Sequence, residues 1–183
     1  MSASVEQVTR ATRAWLEEVV IGLNLCPFAR REYEGERILL QVCEATDTEE
    51  LLLSFATELT RLEQQPQIET TLLIFSQALT SFDDYLDLLD MAQAWLEEQE
   101  LEGVYQLASF HPAYQFAGTP LDDAANSTNR SPWPIIHLLR ESSVEAAVAA
   151  HSDTAAIPPR NIALAREKGV DYWQELLTRL RGE

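Results

Sequence analysis

The chain holds 183 residues, 46% of them hydrophobic, and carries a formal net charge of −17. That length predicts one domain over residues 1–183, able to bury about 70% of its unfolded surface. So large a surplus of acid argues against binding a phosphate backbone, which needs clustered Lys and Arg, so nucleic acid and anionic membranes are not expected partners.

Val5, Val8, Thr12, Trp15, Leu16, Val19, Val20 and Leu23 recur at three- and four-residue intervals, which predicts an amphipathic helix over residues 4–23. The same stretch lacks the unbroken apolar core of a secretory signal, and no segment approaches the roughly 20 apolar residues of a membrane span. A cytoplasmic protein is therefore expected, with its two cysteines, Cys26 and Cys43, reduced. Pro27 disfavours helix at Cys26 and leaves Leu25 to Ala29 as a turn or extended piece. Arg37 to Cys43 is short and apolar, a first strand.

Asp47 and Glu50 have capping-box spacing ahead of Leu52, Phe55, Ala56, Leu59 and Leu62, which predicts a helix over 48–64. Thr70 to Phe75, β-branched and apolar, is the second strand. Ser81 caps a third helix bearing Phe82, Tyr85, Leu89, Ala92 and Leu96 on one face, with Gly103 as its left-handed terminator. Val104 to Phe110 is the third strand, and it runs into a long proline-braced loop. Ile135 to Leu139 reads as a fourth strand, with a helical turn as the competing reading because Pro134 suits a first helical position. Ser142 and Glu145 repeat the capping pattern before a short helix to Ala150. Pro158 and Pro159 open a last helical region broken at Gly169. The expected fold class is α/β, bordering on α+β: a single mixed sheet of about four strands with helices packed on it. The crossover helices after the first two strands imply parallel neighbours there.

The loop region, Leu107 to Leu139, holds four of the eight prolines and two of the three histidines. His111 sits where a strand ends in a long loop, the position at which α/β proteins place ligands, and is the first candidate for acid or base chemistry. A histidine hydrogen-bonding the loop backbone is the alternative. Asp122 and Asp123 are the loop's only acids, suited to assisting catalysis or holding a divalent metal, though turn capping also explains them. Asn126, Asn129, Arg130 and Tyr114 are the candidate substrate-binding groups, Arg130 as anchor for an anion. Its alternative is a salt bridge to Asp122 or Asp123 that pins the loop. Cys26 becomes a nucleophile only if His111 or His137 folds beside it. No resident metal is expected; if one is present, His111, His137 and Asp122 would be its ligands. His151 is accounted for by a helix end. Phosphate-cradling glycine loops, dinucleotide fingerprints and the usual hydrolase and zinc-protease motifs are missing.

Gly22-Leu-Asn-Leu-Cys-Pro-Phe-Ala29, Ser109-Phe-His-Pro, Tyr114-Gln-Phe-Ala-Gly118, Asp122-Asp123, Asn126, Thr128-Asn-Arg-Ser-Pro132 and His137-Leu-Leu-Arg-Glu141 together carry a resemblance. Nearly the whole chain resembles an uncharacterised bacterial family, the domain of unknown function numbered 1415. The resemblance implies a bacterial, cytosolic protein and brings no activity, cofactor or catalytic residue with it. The functional expectation from the residues is a small cytosolic enzyme acting on an anionic small molecule through the 109–137 loop. The alternative is a non-catalytic small-molecule-binding or protein-interaction (adaptor) domain. Oligomeric state is left open.

Overall fold

The computed structural model describes residues 3–182. Helix α1 (Val5–Trp15) is closed at its start by a capping box in which Ser4 and Gln7 satisfy each other's backbone N–H. The expected helix over 4–23 does not continue in α form. At Leu16–Ile21 it widens into a π-helical segment, and Gly22 is what permits the exit, because a Cβ there would lie 2.5 Å from the Glu18 carbonyl oxygen. Asn24 then takes a left-handed step at φ 53°, which an Asn tolerates better than most residues. After the turn at Leu25 to Phe28 comes a helix the sequence reading did not foresee, α2 (Ala29–Glu34).

Strand β1 (Ile38–Cys43), helix α3 (Thr48–Gln64), strand β2 (Thr70–Phe75), helix α4 (Phe82–Glu98) and strand β3 (Tyr105–Phe110) follow as expected. The Asp47 and Ser81 side chains accept from Glu50 N at 3.0 Å and Asp84 N at 3.3 Å, each satisfying one orphan amide of the helix it opens. Gly103 does not terminate α4. That helix ends at Glu98 and Glu100 turns left-handed at φ 57°, while Gly103, at φ 78°, serves the next turn. After the long loop, Ile135 to Arg140 is a strand, β4, and not a helical turn. Helices α5 (Glu141–Ala149), α6 (Ile157–Lys168) and α7 (Val170–Arg181) complete the chain, with Gly169 at φ 80° making the break between the last two.

One open mixed sheet results, in the order β1-β2-β4-β3. β1 and β2 are parallel neighbours, as expected, but β4 inserts between β2 and β3, antiparallel to both. Composition accounts for the insertion. Thr70-Thr-Leu-Leu-Ile-Phe75 and Ile135-Ile-His-Leu-Leu139 are apolar on both faces and take the two central positions. Gln41 in β1, and Gln106 and Ser109 in β3, mark the edges. Helices α3 and α4 cover one face, where Leu51, Phe55, Leu59, Leu62, Tyr85, Leu88 and Leu96 pack on Leu73, Phe75, Ile136 and Leu138. On the other face α1, the π segment, α6 and α7 bring Val8, Trp15, Leu16, Val19, Ala165, Trp173 and Leu176 to Leu72, Ile74 and Ile135. No helix among the described residues is long and apolar enough to cross a membrane.

Candidate functional site

The side chains of the proline-braced loop are spent on folding it. His111 is fully buried, its ring 5.1 Å from Tyr85 and 5.2 Å from Phe82. Its Nε2 donates to the Leu79 carbonyl at 2.8 Å and its Nδ1 accepts from Ala113 N at 3.0 Å, so neither nitrogen is left for a reactant. Burial lowers its pKa, only partly opposed by the Leu79 carbonyl. Asn126, also fully buried, accepts from Phe116 N at 3.0 Å and donates to Pro120 O at 2.8 Å. Asn129 Nδ2 donates to Ser109 O at 3.1 Å.

Arg130 donates from Nε to Tyr114 O at 3.2 Å and from a terminal nitrogen to Leu121 O at 3.2 Å. It makes no salt bridge to Asp122 or Asp123 among the described residues. Asp123 instead caps the short 3₁₀ turn Ala124–Asn129 and pairs with Arg166 through both carboxylate oxygens, at 3.1 and 2.7 Å. The Arg166 guanidinium, with the Ala125 amide, holds the Asp123 carboxyl down at about 2. Tyr114 is tied to Ser109 Oγ at 3.3 Å and stacked edge-on against Phe116. Only Asp122, which is exposed, faces a groove without a hydrogen bond among the described residues. That groove, about 650 Å³, also touches Arg130, Leu121, Trp173 and Leu177.

A different set of residues converges on the opposite side of the sheet from α3 and α4. In register, Ile38, Thr70, Leu139 and Gln106 form one cross-strand row, and Leu40, Leu72, His137 and Ala108 the next. Helix packing covers the row after these, Ile74 with Ile135 and Phe110, and seals Leu72, while a space remains over most of the first two rows. Ile38, Thr70, Leu72, Gln106, Ala108, His137 and Leu139 floor a cavity of about 470 Å³, roofed by Leu16 and Val20, by the turn Cys26, Pro27, Phe28 and Ala29, by Val144 and Ala147 of α5 and by Ala150 just past its end. Small side chains at Ala108, Ala147 and Ala150 keep it open. The roof turn is fixed from below and from the side. Cys26 N donates to Val20 O at 3.3 Å, the π segment being wide enough to offer that carbonyl, and Asn161 Nδ2 donates to Leu25 O at 2.7 Å. Arg160 adds a hydrogen bond to the Asn24 carbonyl. π segments of this kind are frequent at functional sites.

His137 is the chemically distinctive group on the floor. Thr70 Oγ1 lies 2.6 Å from the Leu138 carbonyl and 2.7 Å from His137 Nε2. A hydroxyl has one proton, and the carbonyl can only accept, so that proton goes to Leu138 and His137 must donate from Nε2. Nδ1 therefore carries the lone pair, and it makes no hydrogen bond among the described residues. Desolvation pushes the imidazole down to about 4, so at neutral pH it is an uncharged acceptor on the cavity floor.

Cys26, half-buried with a free thiol, lines the same cavity as His137, and His111 does not. His111 packs on the α4 side and His137 on the α1 side of the sheet. The metal set His111, His137 and Asp122 is thus not assembled, and the described residues contain no group of three or more His, Cys, Asp or Glu able to hold a metal ion. Sequence reasoning missed Thr70, Glu32, Glu69 and His151 as cavity residues. The two threonines that open an otherwise apolar β2, Thr70 and Thr71, were the available signal for the first. His151, assigned to a helix end, sits against the Phe28 ring at 5.5 Å.

The model of a family described as a protein of unknown function, DUF1415, matches residues 7–175. The chain belongs to DUF1415. No curated protein and no solved structure matches it. The DUF1415 match spans every element that builds the cavity, from the Trp15 end of α1 through β4 and α5.

Proposed function

We propose that this DUF1415 chain is a small-molecule-binding protein whose ligand, largely apolar, lies in the cavity beneath Cys26 to Ala29 and meets His137. One observation carries the reading: an apolar space of about 470 Å³, the size of ordinary ligand pockets, with a neutral imidazole oriented on its floor. The geometry favours binding over an enzyme working through the 109–137 loop, because the loop's His111, Asn126, Asn129 and Arg130 are committed to its backbone. A second reading has one observation behind it. Cys26 and His137 share the cavity, so a reactive ligand would meet a thiol and a base together. Two free cysteines suit a reducing compartment, and cytoplasmic location in a bacterium belongs to this same proposal.

The test is a fluorescence titration with N-phenyl-1-naphthylamine, an uncharged apolar probe. One site per chain is expected. Ala108→Phe, which drives a ring into the floor beside His137, should weaken binding by about 100-fold, whereas Asp122→Asn, at the other groove, should leave it unchanged. Equal binding to wild type and Ala108→Phe would overturn the proposal.

A further inference from the structure

Two polar groups on the cavity floor have no partner and are reached from the space above them. His137 and Gln106 both line the cavity, and both are only half-buried. With Nε2 donating to Thr70, His137 presents Nδ1 as a bare acceptor, and the Gln106 amide makes no hydrogen bond among the described residues. Neither belongs with the side-chain atoms that are unpaired but sealed, such as Thr71 Oγ1 and Glu69 Oε1. His137 faces Ala108 and Gln106 faces Leu139, so the two stand diagonally across β4 and β3. That diagonal is about 7–8 Å, within reach of long side chains, and one ligand atom between them meets both.

The charged groups are occupied elsewhere. Where β1 and β2 begin, Arg37 lies 3.2 Å from Glu32 and hydrogen-bonds Glu69. Arg140 donates to the carbonyls of Leu62 and Ile68 at 2.6 and 2.9 Å, and Arg31 stands at the rim with its side chain 86% exposed. The floor around His137, with Leu72, Ala108 and Leu139, is neutral. An ether or ketone there sets a lone pair against that of Nδ1, a carboxylate does the same and must shed its water, and an ammonium finds no anion. A hydroxyl carries donor and acceptor on one atom: its O–H donates to Nδ1 while its oxygen accepts from Gln106 Nε2.

We infer that the cavity selects a neutral hydroxyl compound, its hydroxyl held between His137 and Gln106 and its hydrocarbon body along Leu16, Val20 and Phe28. The inference rests on the cavity being the binding site and adds the class of ligand.

4-Hexylphenol, 4-hexylanisole and 4-hexylbenzoate share a body and differ in head, so competition of each against N-phenyl-1-naphthylamine at pH 7 isolates the head group. The phenol should bind about ten-fold more tightly than the anisole, the worth of one hydrogen bond, and more tightly than the benzoate. His137→Leu, which removes the acceptor, should bring phenol and anisole within about two-fold of each other. Should that variant fail to fold, nitrogen-15 spectra of the wild-type imidazole serve instead: the phenol should move the Nδ1 resonance towards its protonated position, and the anisole should leave it in place. Anisole or benzoate binding as tightly as the phenol, a preference that survives His137→Leu, or an Nδ1 resonance that the phenol does not move overturns the inference while the cavity reading stands. Failure of the probe and all three ligands to bind would remove the cavity reading, and this inference with it.

Discussion

His137 offers the most exacting check, because its titration reports how dry the cavity floor is. The unfolded chain takes up a proton at the ordinary histidine value of 6.5, whereas the folded chain refuses it until about 4. Stability contributed by the neutral ring is therefore complete above pH 6.5 and is lost as the pH falls from there towards 4. With each pH unit worth 1.36 kcal/mol, the full gap corresponds to about 3 kcal/mol, of which about 2.5 kcal/mol has gone by pH 4.5. The informative variant is His137→Gln, whose amide can still donate to Thr70 and does not titrate. Urea denaturation of both proteins at pH 7, 6, 5 and 4.5 gives the comparison. At pH 7 the variant should be less stable by about 1 kcal/mol, the cost of an imperfect buried hydrogen bond. By pH 4.5 the order should reverse, the difference having moved by about 2.5 kcal/mol in favour of the variant. A difference constant to within about 0.5 kcal/mol across the series would mean an ordinary imidazole, and the desolvated-floor argument would be refuted.

Two other expectations concern groups away from the cavity. Asn126→Ala leaves Phe116 N and Pro120 O without their side-chain partner in a buried place, and should cost about 2–4 kcal/mol in urea and speed proteolysis within residues 111–134; a loss under about 1 kcal/mol would show that the loop does not depend on this amide. Glu58, buried on α3 with Arg61 3.2 Å away, has its pKa raised by desolvation, so wild-type stability gains as the pH falls through that raised value and Glu58→Gln should be the more stable protein at pH 7. Thermal midpoints at pH 7 and pH 4.5 check it, and an advantage equal at both pH values would contradict the burial argument.

Strands, the longer helices and their caps were legible because each is written in local pattern: the β-branched run at Thr70, the caps at Asp47 and Ser81, the break at Gly169. The π segment was not, since Val19, Val20 and Leu23 keep helical spacing whether the turn holds 3.6 residues or more. The register of the sheet was half legible. Its parallel pair followed from the crossover through α3, but the place of β4 depends on which strands are apolar on both faces, a comparison between distant segments.

The site was misplaced for a related reason. Dense polar side chains between Phe110 and Ile135 look alike whether they face a ligand or their own backbone. Only the folded loop shows His111 and Asn126 turned inward to carbonyls and amides. Cys26 and His137 were both candidates in the sequence, and their place on one cavity depends on the strand order and the roof turn at once. The alternation that places His137 opposite Ile136 and Leu138 was legible throughout.

The strand order also sets a schedule. β4, the last strand to leave the ribosome, occupies a central place, and its pairing of Leu139 with Thr70 and Gln106 joins two strands that cannot reach each other without it. Until residue 140 has emerged, β3 has no hydrogen-bonded neighbour and the inner edge of β2 lies bare, so the sheet closes late and over long sequence separations, the slow regime of folding. Leu72 and Ala108, in the row that floors the cavity, come into register only through His137. A ligand held there thus binds only a finished sheet, and its presence adds stability to the completed chain that no shorter nascent one can draw upon.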